Sequence, residues 1–143
     1  MKLSKRANRI QPSVTVELNA KVAQMLQNGM DIVKMNIGEP DFGTPQNIRD
    51  AAKEAIDNGF TRYTAVPGIP DLRKAICQKL KKDNGIEYSA ENICVSTGAK
   101  QAIMNALLIL VDEGDEVIIP IPCWVSYESM VEIAGGAAVT VPT

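Results

Sequence analysis

One short segment near the middle of the chain has the residue types of an anion-binding turn. Residues 93–102 read Ile-Cys-Val-Ser-Thr-Gly-Ala-Lys-Gln-Ala, which predicts a buried strand, a turn and a helix. The backbone N–H groups of Gly98, Ala99 and Lys100 would converge at the positive end of the helix, together with the hydroxyl of Ser96 or Thr97. A phosphate would bind there. An ordinary strand-to-helix turn, whose glycine only relieves crowding, explains the pattern equally well. Neither a G-x-G-x-x-G nor a G-x-x-x-x-G-K-[ST] pattern is present, so one phosphate fits better than a pyrophosphate.

A second candidate surrounds the only tryptophan of the chain, Trp124. It follows the next predicted strand, at the sheet edge where ligands bind in open α/β folds. It is predicted to open a helix near Gly98, where its ring could cover a flat aromatic ligand. Core packing is the ordinary role of a lone tryptophan, and we expect the nearby Tyr127 in the core. Nothing close to Cys123 marks an activated thiolate.

The composition limits the chemistry and the partners. The 143 residues are 45% apolar and 22% charged, which is typical of one soluble globular domain that can bury a core. A net charge of -2 gives no field for nucleic acid, so we expect no nucleic-acid partner. The chain has no histidine, which excludes Ser-His and Cys-His nucleophile pairs, a histidine base and a Cys-His zinc site within it.

Other features exclude further classes. Cys77, Cys94 and Cys123 are irregularly spaced, so neither a disulfide framework nor a metal site is expected. The longest apolar stretch, 103–111, is too short to cross a bilayer, and we expect no membrane partner. The basic residues Lys2, Lys5, Arg6 and Arg9 are followed by no apolar segment, so a solvated basic arm is a better interpretation than a targeting peptide.

Turn formers and apolar periodicity divide the first 92 residues into helices, loops and one strand. The predicted elements are a helix from the Ser13 cap to Gly29, a strand over Ile32–Met35, a loop over Asn36–Pro45, a helix from Thr44-Pro45 to Gly59, a loop over Phe60–Gly68 and a helix from Pro70 to Asn84-Gly85.

From Ile93 onward the chain alternates strands and helices. The predicted elements are a strand over Ile93–Ser96, a helix over Ala99–Leu110, a strand over Glu116–Ile119 broken by Pro120 to Pro122, a helix over Trp124–Ala134 that ends at Gly135-Gly136, and a strand over Ala137–Val141. The helix over Ala99–Leu110 is apolar on nearly every side, which predicts burial on more than one face. The short connections favour a mostly parallel sheet. Because the last strand has no helix to cover it, we expect the chain to be part of a larger domain.

Five motifs together resemble a known family. They are Asn36-Ile-Gly-Glu-Pro-Asp-Phe, Tyr63-Thr with Gly68-Ile-Pro-Asp-Leu-Arg73, Ser96-Thr-Gly-Ala-Lys-Gln-Ala102, Gly114-Asp-Glu-Val-Ile, and Pro122-Cys-Trp-Val-Ser-Tyr127. In this order they resemble the N-terminal part of class I pyridoxal-phosphate (PLP) aminotransferases, especially the bacterial aspartate aminotransferase branch. The resemblance implies an incomplete α/β fold of fold type I. Residues 1–30 would form the N-terminal arm and first helix, and residues 31–143 the first part of the PLP-binding large domain with its mostly parallel sheet.

The resemblance also implies site residues. Gly98, Ala99 and Lys100 would hold the phosphate of pyridoxal 5'-phosphate, and Trp124 would stack on the pyridine ring and help to position the substrate. Tyr63 would reach the cofactor phosphate of a second subunit, or be a simple surface tyrosine. Gly38 would present its backbone to the substrate's α-carboxylate, or be a simple turn glycine.

Three residues of the family signature are expected to have structural roles. We assign Gly68 to loop geometry, Leu72 to helix packing and Arg73 to a surface or interface charge.

The implied activity is amino transfer from an amino acid, aspartate or glutamate, to a 2-oxo acid by a cytoplasmic homodimer. The motifs that carry the aldimine lysine, the pyridine-nitrogen acid and the carboxylate-binding arginine lie downstream in the family and do not occur here. We therefore expect no catalytic residue in this chain and no activity from the chain alone. The alternatives are a non-catalytic aminotransferase-like module, or a PLP lyase of the same fold such as a C-S lyase or a cyclopropane amino-acid synthase.

Overall fold

The structure is a computed structural model that describes residues 2–10 and 12–143. Its elements in chain order are α1 (Lys5–Arg9), α2 (Val14–Gln27), α3 (Gln46–Asp57), α4 (Pro70–Asn84), a 3-10 turn (Ala90–Asn92), α5 (Ala99–Leu110), β1 (Glu116–Ile121), α6 (Ser126–Ala134) and β2 (Ala137–Pro142). The chain forms two compact units: the first ends at Lys53, and the second runs from Glu54 to Thr143. The division into residues 1–30 and 31–143 stays a prediction.

Serine caps begin the two helices at the start of the first unit. The Ser4 hydroxyl accepts a hydrogen bond from the Ala7 N–H at 3.1 Å and starts α1 within the predicted basic arm. Ser13 caps α2 in the same way, as predicted, through the Val16 N–H at 3.4 Å. Lys2 and Lys5 of the arm are exposed. The side chains of Arg6 and Arg9 lie outside the described residues.

The strand predicted over Ile32–Met35 is wrong. The described residues of the first unit contain no strand, and Val33 and Met35 are 88% and 90% exposed. Apolar residues alone do not make a strand, because its backbone groups need a partner strand. The loop predicted over Asn36–Pro45 is confirmed. At its start, the side-chain amide of Asn36 donates a hydrogen bond to the side-chain oxygen Oδ1 of Asn19 in α2.

The third helix begins and ends close to its prediction. Its first residue is Gln46, and the Pro45 carbonyl accepts a hydrogen bond from the Arg49 N–H at 3.1 Å, so Pro45 occupies the cap position. Its stop is confirmed, because Gly59 has φ +73° and donates its N–H to the Ile56 carbonyl.

A parallel pair of strands and one helix form the core of the second unit. β1 and β2 pair in parallel from Glu116 opposite Ala137 onward, which confirms the predicted parallel sheet. The buried apolar residues are Ile119 of β1 and Met130 and Val131 of α6, at 5%, 4% and 2% exposure. The helix α6 therefore supplies two of the three buried apolar residues.

Two predicted details of this region are wrong. β1 continues through Pro120 to Ile121, so proline does not break it. β1 has one neighbouring strand in the part of the chain that the structure describes, and an edge position tolerates a residue without an N–H. The last helix begins at Ser126 instead of Trp124, because the Trp124 carbonyl accepts the first turn's bond from the Tyr127 N–H at 3.1 Å.

Two glycines make the tight corner between α6 and β2. Gly135 has φ +109° and caps the helix, as predicted. A Cβ at Gly136 would lie 2.5 Å from Cγ1 of Val111 and 3.3 Å from Cγ1 of Val131. Only glycine allows the chain to pass this close to the core.

The strand predicted over Ile93–Ser96 is also wrong. The structure has no ladder there. The segment donates two backbone bonds to non-strand residues, from the Ile93 N–H to the Ala90 carbonyl at 3.2 Å and from the Val95 N–H to the Pro67 carbonyl at 3.0 Å. The helix predicted from Ala99 to Leu110 is confirmed as α5, but its predicted burial is wrong. None of its residues is buried, and Ile109 and Leu110 are 82% and 77% exposed. Among the described elements, its main contact is with α6.

Candidate functional site

The turn before α5 presents an uncapped helix N-terminus. Gly98 is the N-cap residue, with φ +109° and ψ 166°, and no side chain caps the first turn. The N–H groups of Ala99 and Lys100 belong to this first turn, where helix geometry gives them no internal partner. A Cβ built on Gly98 would meet no heavy atom within 4 Å, so the space above the turn is open. This arrangement can bind a small anion through backbone N–H groups.

Thr97 has a different role from the one predicted. Its hydroxyl donates to Oε1 of Gln101 at 2.6 Å, and its backbone N–H donates to the same oxygen at 2.7 Å. The hydroxyl proton is therefore already engaged, and of the two predicted hydroxyl donors only Ser96 stays a candidate. The sequence interpretation missed Gln101. The signal was a glutamine at the third position of the helix, where side chains reach back to the residues before it.

Lys100 and Trp124 come together beside this turn. The Lys100 ammonium lies 4.7 Å from the centroid of the Trp124 ring, within the range of a cation-π contact. Trp124 also contacts Tyr127, and the two rings meet edge to face with their centroids 5.5 Å apart. Trp124 is 42% exposed, so its ring is not a core side chain. A lysine, an aromatic ring and an open anion-binding turn therefore lie next to one another.

Two contacts brace the segment that leads into the turn. Gly68 has φ +101°, and a Cβ there would lie 2.7 Å from Cγ2 of Val95, so the predicted loop role of this glycine has a specific cause. Arg73 donates from Nε to the Ala90 carbonyl at 2.9 Å and donates to the same oxygen from Nη2. The guanidinium of Arg73 is part-buried and binds the chain just before Ile93, and its expected role as a surface or interface charge stays a prediction. Leu72 is 43% exposed.

Tyr63 and Gly38 are the two remaining predicted site residues, and each lies in an exposed loop. Tyr63 lies in the loop between α3 and α4 with its side chain fully exposed. Among the described residues, no hydrogen bond or ring contact joins it to Lys100 or Trp124. Gly38 belongs to the exposed loop of the first unit, and a Cβ there would meet nothing within 4 Å. Within the second unit, the structure brings together four of the six predicted residues: Gly98, Ala99, Lys100 and Trp124.

Other classes of site find no support in the described part of the chain. Residues 2–10 and 12–143 contain no cluster of three or more potential metal ligands. Cys77, Cys94 and Cys123 are all free thiols. None of the described helices has the length and hydrophobicity that a membrane crossing requires.

Comparison with known proteins identifies the family. The profile "Aminotransferase class I and II" matches residues 30–143. The chain belongs to the class I and II aminotransferases. It is 49% identical over 139 residues to the aspartate/prephenate aminotransferase of Cereibacter sphaeroides, covering 97% of this chain and 35% of that protein. It is 45% identical to the aspartate aminotransferase of a Bacillus species, over 96% of this chain and 35% of that one.

A solved member of the family has the same fold. The aspartate aminotransferase of Thermus thermophilus with maleate superimposes with a TM-score of 0.95 at 43% identity, over 100% of this chain and 37% of that one. The predicted α/β fold of fold type I is therefore confirmed. This chain spans a little over a third of the length of the aminotransferases that it matches.

The residues present fit the phosphate of the family's cofactor. Backbone N–H groups at a helix end, with a lysine beside them, are the donors that bind a phosphate monoester. The open space over Gly98 leaves room for it. The exposed Trp124 ring next to this turn suits a flat pyridine ring.

Proposed function

We propose that this chain forms the phosphate-binding turn and the aromatic wall of the PLP site in an aminotransferase. The enzyme would move an amino group from an amino acid, aspartate or glutamate, to a 2-oxo acid. The observation that carries the proposal is the open, uncapped turn at Gly98 with Lys100 and Trp124 beside it. When bound, PLP supplies the electron sink that makes the substrate's Cα–H bond acidic.

The residues of this chain would bind and orient. The N–H groups of Gly98, Ala99 and Lys100 hold the phosphate, and the positive end of α5 adds an attraction for its negative charge. Trp124 packs against the flat ring, excludes water from one side and limits where a substrate can lie. Tyr127 supports Trp124 through their edge-to-face contact at 5.5 Å. Each of these roles is one of position, and none transfers a proton.

We also propose roles for Gly38 and Tyr63. Gly38 would present its backbone to the substrate's α-carboxylate, and the absence of any atom within 4 Å of its Cβ position leaves space for this approach. Tyr63 would reach the cofactor phosphate of a second copy in a homodimer, for which its full exposure is a requirement. Such an enzyme would work in the cytoplasm.

We infer that none of the lysines in this chain forms the covalent link to the cofactor. Lys100 is close to the turn, but its ammonium lies against the Trp124 ring, and its backbone belongs to the phosphate-binding helix start. We therefore propose that the 143 residues alone do not transfer amino groups. Cofactor absorbance typical of a lysine adduct in the isolated chain, abolished by Lys100→Ala, would overturn this.

Isotope transfer tests the proposed activity. The protein in its full cellular length is incubated with PLP, ¹⁵N-labelled aspartate and an unlabelled 2-oxo acid, and we expect ¹⁵N in the amino acid that this 2-oxo acid yields. Trp124→Leu should slow the transfer, whereas Tyr88→Leu, which alters an exposed tyrosine that has no predicted role in the site, should not. Release of ammonia without transfer would instead indicate a lyase. PLP binding with no turnover of any amino acid would indicate a non-catalytic module.

A further inference from the structure

The side chain of Gln101 folds back from α5 over the turn that precedes the helix. Its Oε1 accepts two hydrogen bonds from Thr97, at 2.7 Å from the backbone N–H and at 2.6 Å from the hydroxyl. We propose that Gln101 is a positioning residue for phosphate recognition: it holds the Thr97-Gly98 turn so that the first N–H groups of α5 converge on one point. This inference rests on the proposed function, because it concerns the same phosphate site.

The turn needs such a restraint. Gly98 has φ +109° and ψ 166°. A glycine can adopt many other backbone conformations of similar energy, so this one must be held by its surroundings. No side chain caps the helix at Gly98, and no heavy atom lies within 4 Å of its Cβ position, so packing does not hold it either. The two bonds to Gln101 are the only side-chain bonds that Thr97 makes among the described residues. Without these two bonds the turn would become ordered only when the anion binds. The entropy lost in that ordering would lower the affinity for the anion.

The amide suits this task better than a carboxylate would. A glutamate at position 101 could accept both bonds, but it would place a negative charge in the first turn of α5, beside the proposed phosphate. The glutamine accepts the same bonds without that repulsion. Thr97 in turn contributes its proton to Gln101 and not to the phosphate, so the two residues act on the ligand through the backbone.

The test compares ligands with and without a phosphate. PLP and pyridoxal are titrated into the cofactor-free protein in its full cellular length, for the wild type and for Gln101→Met. Because a hydrogen bond of this kind changes an equilibrium by about two- to tenfold, we expect an affinity for PLP about five- to tenfold lower and an unchanged affinity for pyridoxal. Gln46→Met is the matched control. It removes an exposed bond of similar geometry, from Gln46 Nε2 to Asp50 Oδ1 at 2.7 Å at the start of α3, and should change neither affinity.

A second variant keeps the proposal testable if Gln101→Met does not fold. Thr97→Val removes the hydroxyl donor and keeps the backbone bond, so it should lower the PLP affinity by about two- to threefold and leave pyridoxal unaffected. In the Gln101→Met background the same change should have no further effect. Equal losses for PLP and pyridoxal, or no loss for either, would overturn the role of Gln101. A wild-type protein that binds PLP no better than pyridoxal would overturn the phosphate site itself.

Discussion

Replacing Gly98 by alanine tests the site and its local structure together. The backbone there has φ +109° and ψ 166°, a region that side chains with a Cβ avoid. A Cβ would meet no heavy atom within 4 Å, so the substitution causes no clash and its cost is backbone strain alone. Holding a residue in such a region costs about 1–3 kcal/mol.

This cost divides between stability and cofactor binding in a measurable way. If the turn keeps its shape, the free energy of unfolding falls by about 1–3 kcal/mol and PLP affinity is retained. If the turn relaxes, stability is largely retained, and the N–H groups of Ala99 and Lys100 no longer converge. PLP affinity then falls by about 5- to 150-fold, the equivalent of the same energy. We expect the second outcome to dominate, because the turn is exposed and little packs against it.

Denaturant unfolding and PLP titration of the same preparations measure the two parts. The matched control is Gly85→Ala, at the C-cap of α4, where φ is +68° and a Cβ also meets nothing within 4 Å. It should lower stability by about 1–2 kcal/mol without changing PLP affinity. The reasoning is refuted if Gly98→Ala matches the wild type in both stability and PLP affinity, or if the two variants have the same effect on PLP.

Four further predictions concern other parts of the structure. Gly136→Ala should lower the free energy of unfolding by about 1–3 kcal/mol by overpacking, and an unchanged unfolding midpoint would contradict it. Arg73→Met removes both bonds to the Ala90 carbonyl and should cost about 1–2 kcal/mol in the same assay, whereas a neutral result would show that the brace is dispensable. PLP should quench the emission of Trp124, and unchanged fluorescence at saturating PLP would place the ring elsewhere. The pKa of Glu91 is lowered, chiefly by a hydrogen bond from its own backbone N–H, next by a hydrogen bond from the Ser89 side chain, and least by the charge of Arg73. The ionised carboxylate therefore stabilises the fold above its ordinary pKa, and this contribution is lost as the pH falls through the lowered value. The free energy of unfolding, measured at a series of acidic pH values, should depend less on pH for Glu91→Gln than for the wild type. Identical pH profiles of the two proteins would contradict this role of Glu91.

Local signals made the helices predictable. Ser13 caps α2, and Gly59 and Gly85 end α3 and α4 where the sequence indicates, because capping and positive φ depend on a few adjacent residues. The parallel pairing of β1 and β2 was also predictable from the sequence, because a nine-residue helix flanked by short turns connects the two strands.

The predictions that failed depended on residues distant in sequence. Ile32–Met35 and Ile93–Ser96 have strand-like composition, but a strand exists only where another strand pairs with it. The burial of α5 was overestimated for the same reason, because composition does not show what packs against a helix. For the site, the turn at Gly98 followed from the order of residues along the chain. The contact of Lys100 with Trp124 spans 24 positions and required the fold.

The concentration of buried residues in β1 and α6 has a consequence for the order of folding. Glu116 pairs with Ala137 only 21 positions later, and the buried residues Ile119, Met130 and Val131 all lie within this interval. Contacts that close short loops form quickly, because little chain entropy is lost. We expect the amides of β1 and β2 to exchange with deuterium most slowly, while those at the Gly98 turn exchange early. The turn at Gly98 would then become ordered after β1, α6 and β2 have formed.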